Sequence, residues 1–188
     1  MSSERRIAIK VVSGVDEVRF AALSTRGKAL IEDRGSSNPM SLAMWRRWLL
    51  SEHSPIRQFV LRITFLDVPA STSVHFTRHS KHTEHYVMSS RPDKTGEPRD
   101  PSRPVMHTFY ANAQGLIDMA RSRLCSKAEE ETRLWMEELA LAMRTHEDPY
   151  VRELSLFLMP NCAYRRQCPE FEPCGMAIRK IMDYRGEL

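Results

Sequence analysis

The stretch Gln58-Phe-Val-Leu-Arg-Ile-Thr-Phe-Leu66 decides how this chain is read. Phe59, Leu61, Ile63 and Phe65 alternate with Val60, Arg62, Thr64 and Leu66. A period of two sends one row of side chains into a core and the other away from it, and the β-branched and aromatic content suits a pleated surface. No other segment reads as a strand so clearly. Toward the N-terminus, His53-Ser54-Pro55 ends a helix whose apolar stripe is Leu42, Trp45, Trp48 and Leu49. Gly35-Ser-Ser-Asn-Pro39 punctuates the chain before it, with Asn38 as the expected cap and Pro39 at the first helical position. Earlier still, residues 6 to 12 alternate as a first strand, Gly14 turns the chain, and a helix is expected from about Asp16 to Asp33.

Toward the C-terminus, residues 69 to 91 are rich in Ser, Thr and His and poor in apolar side chains, which is unusual for plain scaffold. Residues 92 to 104 hold four prolines and a glycine and read as a loop whose length marks it as functional or mobile. Beyond it the chain reads as helical. Tyr110, Ala113, Ile117, Ala120 and Leu124 form one face, and Ser126 with Glu129 forms a capping box for a helix running to about Thr145. Asp148-Pro149 opens a short helix through Leu158, Met159-Pro160-Asn161 stops it, and a last helix is expected from Met176 to Arg185. There is no internal repeat. The order predicts an α+β fold, a small sheet covered by helices, in one domain spanning 1–188 with a Cys-containing end at 159–188.

Composition narrows the function. With 188 residues, 41% hydrophobic and 28% charged, the chain is an ordinary globular one rather than disordered or fibrous. A net charge of +4 is too small for general nucleic-acid binding but leaves room for a local phosphate site. No apolar run is long enough to span a membrane, and the N-terminus has no secretory segment, so a cytoplasmic protein without a membrane partner is expected. Trp45, Trp48 and Trp135 read as core. Arg121-Ser-Arg123 and Glu129-Glu-Glu131 read as solvated helix faces.

Two clusters carry chemistry. His75, His79, His82 and His85 follow one another at offsets of four, three and three, so on a helix the first three would share a face and could hold a metal. Arg78, Lys81 and Arg91 flank them, and Ser80, Thr83, Ser89 and Ser90 add hydroxyls, a donor set suited to phosphate. The second cluster is Cys162, Cys168 and Cys174, five residues between each. It could give three thiolates to a structural zinc ion or a cluster, with Cys125 or a histidine as the fourth ligand, although the usual pair of cysteines two to four apart is lacking. The alternative is thiols packed in a Pro-broken loop.

The stretch HSPIRQFVLRITFLDVPASTSVHFTRHSKHTEHYVMSSR, residues 53 to 91, resembles the central region of the flavin-dependent thymidylate synthases. That family shows an H-x-S/T-P-F-E-H turn, a strand ending in an acidic step, and a helix leading into R-H-R-x-x-S-x-N-x-x-S-x-R. Here His53-Ser54-Pro55-Ile56 stands at the turn and Phe65-Leu66-Asp67-Val68 at the strand end; Arg78-His79 opens the signature and Ser89-Ser90-Arg91 closes it one residue late. Ser80 replaces the third signature residue, an arginine, Thr83 a serine and His85 an asparagine. Arg57-Gln58 stands for Glu-His, and His75 for a glutamine. The chain is also short at its C-terminal end relative to the family.

The resemblance implies a mostly antiparallel sheet and a flavoprotein of nucleotide biosynthesis, a methyltransferase that passes a one-carbon unit from methylene-tetrahydrofolate to C5 of dUMP or a related pyrimidine nucleotide, with FAD as cofactor and NADPH as reductant. It implies no protein nucleophile, so the protein positions and neutralises charge. By position, Ser54, Arg78 and His79 would contact FAD, Ser89 and Arg91 would hold the nucleotide phosphate, and His75 would lie near the pyrimidine. It further implies a homotetramer with sites shared between subunits. Two alternatives stand beside it: a repurposed nucleotide-binding protein on the same fold, and a metal-binding protein built on the His and Cys clusters.

Overall fold

A computed structural model describes residues 6–28, 40–89, 91–96, 98 and 100–175. Its first strand, β1 (Arg6–Ser13), turns at Gly14 into α1 (Val15–Ser24), which closes in a turn with Gly27 at φ 68°. The expected continuation to Asp33, the Asn38 cap, Ser90 and the helix expected over 176–185 lie outside the described residues. The next helix, α2 (Leu42–Ser51), is capped by Ser41, whose Oγ accepts the Met44 N–H at 3.2 Å. Trp45 and Leu49 of its stripe are buried, Trp48 packs against the core from its edge, and Leu42 is exposed. A 3₁₀ turn, Ser54–Gln58, carries Pro55 in its first turn and delivers the chain to β2 (Val60–Pro69).

The central strand runs three residues past the alternating stretch because of a bulge. Phe65 pairs with His107 and Val68 with Val105, so one extra residue sits on β2, and Asp67 adopts φ 62°. The bulge shifts the alternation by one, turning Asp67 out and Val68 in. After β2 come α3 (Ala70–Thr77), β3 (Thr83–Val87) and the single helical turn α4 (Pro92–Thr95), closed by Gly96 at φ 71° within the proline-rich segment.

Residues 105 to 112, expected to be helical, form β4 (Pro104–Asn112) together with Pro104, the last residue of the expected loop. Val105, His107, Phe109 and Ala111 point inward and alternate with more exposed neighbours, and the β-branched and aromatic residues between Val105 and Tyr110 favour the pleat over a helix. The helix begins one residue later as α5 (Ala113–Arg123), where Asn112 Oδ1 accepts the Gly115 N–H at 2.9 Å. Then come α6 (Glu130–Arg144), α7 (Pro149–Ser155) and α8 (Asn161–Arg165). No capping box with Ser126 forms at α6. Glu129 is itself the cap, its carboxylate accepting from the Glu131 and Thr132 amides at 3.1 and 2.7 Å. Pro160, expected as a stop, precedes the short helix α8.

The sheet order is β1-β2-β4-β3, antiparallel throughout, as an α+β fold with a small sheet requires. Helices cover the face made by Leu61, Ile63, Phe65, Val105 and Phe109. Phe65 is the hub, its ring 5.0–5.3 Å from those of Trp135, Phe76 and Phe109. One close approach fixes the turn before β3 against α5: a Cβ at Gly115 would lie 2.6 Å from the His82 carbonyl oxygen. That backbone cannot yield as a side-chain tip would. Gly115→Ala is therefore expected to destabilise the fold by about 1–3 kcal/mol and to push the turn off α5. Urea denaturation measures the first effect, and amide exchange at residues 79–83 the second; an unchanged midpoint would remove this packing argument.

Candidate functional site

The corner between α3 and β3 gathers the chemistry. Arg78 ends α3, His82 turns the chain at φ 65°, and the turn between them is held by its own side chains. The Thr83 hydroxyl donates to the His79 carbonyl, and His85 Nε2 donates to the same oxygen at 2.8 Å. Thr83 and His85 thus build the turn, and neither is needed as a ligand. His75, His79, His82 and His85 do not share a helical face, because α3 ends at Thr77 and His85 is on β3. The metal reading built on the four histidines loses its geometry for that reason.

His85 starts a buried chain of hydrogen bonds. Its Nδ1 lies 2.9 Å from His107 Nε2, and His107 Nδ1 lies 3.0 Å from Ser73 Oγ. A carbonyl can only accept, so neutral His85 carries its proton on Nε2 and accepts at Nδ1. His107 must then donate from Nε2 and accept at Nδ1 from the Ser73 hydroxyl. His107 is fully buried, and burial, aided by the neighbouring His85, pushes its pKa down to about 4.

Arg123, at the end of α5, closes the corner. Its Nε donates to His79 Nε2 at 2.8 Å and its Nη2 to the His75 carbonyl at 2.8 Å. His79 is therefore an acceptor at Nε2 and neutral, with its proton on Nδ1. Burial lowers its pKa to about 4, the charges of Arg123 and His85 act the same way, and Asp118 opposes them. Arg123 is itself held down by burial and by the charge of Arg78 beside it. Neither arginine has a carboxylate partner among the described residues. Two like charges kept together, one partly desolvated, form a ready site for an anion.

Arg121 and Arg123, expected on a solvated helix face, are both engaged in the fold instead. Arg121 pairs with Glu52, donates to Asp118 at 3.1 Å and lies 3.8 Å over the Tyr164 ring. Hydrogen bonds from Arg121, Gln114 and Tyr164 hold the Glu52 carboxyl below its usual range against the opposing effect of its burial. Arg123 and His107 are the residues that sequence reasoning missed. The one available signal was a histidine at an inward position of an alternating segment.

The remaining candidates lie elsewhere. Ser54 is exposed at the start of the 3₁₀ turn, and no hydrogen bond among the described residues joins it to the corner. Ser89 and Arg91 come after β3 at its far end, where the Met88 N–H bonds the Met106 carbonyl; five strand residues, about 17 Å, separate them from His79. Arg91 is ion-paired with Asp93. His75, Arg78 and His79 are thus brought together, and Ser89 and Arg91 are not.

No family model matches the sequence, and none of the curated proteins does either. Solved structures do match. Thymidylate synthase X (ThyX) from Helicobacter pylori, solved with FAD and dUMP, superposes with a TM-score of 0.58 at 12% identity over 79% of this chain and 97% of that one. The fold is that of a flavin-dependent thymidylate synthase. A UMP/dUMP methylase, PolB, from Streptomyces cacaoi bound with 5-Br dUMP gives a TM-score of 0.56 at 15% identity, over 82% of this chain and 96% of that one. The same methylase bound with 5-Br UMP gives 0.52 at 15%, over 79% and 93%. The C-terminal shortness expected from the sequence therefore does not prevent near-complete coverage of these ThyX-like chains.

Proposed function

We propose that this ThyX-like chain methylates a pyrimidine nucleotide, dUMP or UMP, at C5, taking the one-carbon unit from methylene-tetrahydrofolate with FAD as cofactor and NADPH as reductant. The fold neighbours, a thymidylate synthase and a nucleotide methylase, support an enzyme of the methyltransferase type. The observation that carries the reading is the Arg78–His79–Arg123 corner: two arginines without a carboxylate partner among the described residues, one braced by a neutral histidine. FAD and a nucleotide both bring phosphates, and this donor set fits them.

When bound, the flavin supplies the hydride and one-carbon transfer chemistry. The chain binds and orients. Arg78 and Arg123 neutralise phosphate charge, and His79 keeps Arg123 aimed while presenting Nδ1–H as a donor. Ser54 completes the flavin contacts, and His75, Ser89 and Arg91 take the nucleotide. Because Ser89 and Arg91 lie a strand's length from the corner, the two sets act on one substrate pair only if a second copy supplies one of them. The exposed Tyr86 on β3, Met88 just after it and Met106 on β4 offer an apolar surface for such a copy, consistent with a homotetramer. Among the described residues no helix is long and apolar enough to cross a membrane.

A second reading, a nucleotide-binding protein without flavin, is favoured by Ser80 and by Arg57-Gln58, exposed residues that replace the family's arginine and Glu-His pair. A flavin titration separates the two. FAD fluorescence should quench on binding, and the yellow colour should bleach with NADPH. Thermal stabilisation by dUMP or UMP without any flavin uptake would favour the second reading, and no response to either ligand would defeat both.

A further inference from the structure

Cys125, Cys162, Cys168 and Cys174 line one cavity of about 260 Å³, but among the described residues no three Cys, His, Asp or Glu side chains are placed to hold a metal ion. The buried histidines carry more. Ser73, His107 and His85 run in one line from α3 to the turn before β3, and every hydrogen bond in the line points the same way. The Ser73 hydroxyl donates to His107 Nδ1 at 3.0 Å, His107 Nε2–H to His85 Nδ1 at 2.9 Å, and His85 Nε2–H to the His79 carbonyl at 2.8 Å. The far end imposes the direction, because a carbonyl only accepts. Ser73 is 1% exposed and His107 is fully buried, so neither reaches a substrate as a nucleophile or general base must.

The surroundings of this line are apolar. Phe65, Phe76 and Phe109 lie around the His107 ring, with centroids 6.3, 6.2 and 5.6 Å away, and Phe109 stacks on His85 at 5.5 Å. Each buried polar group there costs free energy until it is paired, whereas three apolar side chains would have nothing to pair. Packing alone therefore does not call for a serine and two histidines. What the line adds is a choice of tautomer. A hydrogen bond arriving at His85 Nδ1 leaves Nε2 as the only place for the proton of neutral His85, and only that tautomer donates to the His79 carbonyl. His79 is thus held at both ends: its carbonyl takes bonds from His85 and Thr83, and its ring takes one from Arg123 Nε.

We propose that Ser73 and His107 are positioning residues for the anion site: they fix the tautomer of His85, His85 fixes the His79 backbone, and the His79 ring aims Arg123. The inference rests on the reading of the Arg78–His79–Arg123 corner as a phosphate site. No proton travels along the line, since the carbonyl at its end takes none. Hydrogen bonds in a low-dielectric interior reinforce one another, so the loss of one is felt at the other end.

The test pairs FAD titration of the full-length protein with nitrogen NMR of its imidazole and arginine side chains in the absence of ligand. In the unaltered protein His85 and His107 should both carry the proton on Nε2, and Arg123 Nε–H should give a signal protected from exchange. His107→Phe removes the donor to His85 and should weaken FAD binding about 3- to 10-fold, the size of one neutral hydrogen bond. It should also mix the His85 tautomers and open Arg123 Nε–H to exchange. In His107→Gln an amide N–H replaces the lost donor, so the tautomer, the Arg123 signal and most of the affinity should return. A merely structural histidine would lower the urea midpoint in both variants and move none of these readings. Ser73→Ala, a milder change within a helix, should loosen the same signals in the same direction and serves where His107→Phe does not fold. His85 protonated on Nδ1 in the unaltered protein would overturn the proposal, as would a folded His107→Phe with unchanged FAD affinity and Arg123 signal. If the unaltered protein takes up no FAD, the flavin reading falls, and the response of the Arg123 signal to the two His107 variants still decides the positioning.

Discussion

Arg123→Ala is expected to weaken the binding of FAD by roughly 10- to 100-fold. A hydrogen bond to a charged group contributes about 1.5–3 kcal/mol, and each 1.4 kcal/mol is about tenfold in affinity. Arg123 both carries charge and ties together three parts of the corner, since its fork spans the His75 carbonyl and the His79 ring. Arg123→Lys restores the charge but not the fork, so it should recover only part of the affinity. Isothermal titration calorimetry measures both variants, with circular dichroism to confirm that the fold is kept. Unchanged affinity in the alanine variant would show that the anion site lies elsewhere, and the proposed role of the α3–β3 corner would fall with it.

The second large effect is on acid stability. His107 has a folded pKa of about 4 against an unfolded value of 6.5. Between those two pH values the unfolded chain binds a proton that the folded chain refuses, so stability falls as pH drops from 6.5 toward 4. Above pH 6.5 both states are neutral and the contribution is flat. A shift of that size corresponds to roughly 3 kcal/mol. His79 acts in the same direction, by less than its shift suggests because it is partly exposed and coupled to His85. Glu52 and Glu129 are held below their usual range and lose their contribution in a lower window, as pH falls through the carboxylate range. Urea midpoints taken between pH 7.5 and 5 therefore isolate the histidines. His107→Phe should flatten that part of the curve while lowering stability at pH 7.5 by about 1–3 kcal/mol, because Ser73 and His85 lose their partner. A wild-type curve already flat over this interval would contradict a buried neutral His107.

Several elements were legible because a local physical rule produces them. The alternation at 58–66 announced β2, and Asp148-Pro149 announced α7, where the Asp148 carboxylate accepts the Tyr150 amide at 2.7 Å. Other elements were hidden because two local rules overlap. In residues 104–112 the apolar side chains fit a strand, yet Tyr110 also continues the helical spacing of Ala113, Ile117 and Ala120. Sheet pairing with β2 decides between them, through partners that lie 35 to 52 positions away. Capping shows the same overlap: Ser126 and Glu129 have the spacing of a box, but Glu129 reaches the free amides by itself.

The sequence by itself determined the fold class, the central strand and the cationic, histidine-rich stretch after it, because each depends on neighbours within a few residues. Only the tertiary structure decided which of those residues form a site. It set Arg123 against His79, 44 positions away, and put His107 next to His85. It also separated Ser89 and Arg91 from Arg78, although all three belong to one stretch of sequence. The physical reason is that hydrogen bonds and desolvation act over a few ångströms in space, and antiparallel pairing of β3 with β4 sets those distances without regard to spacing along the chain.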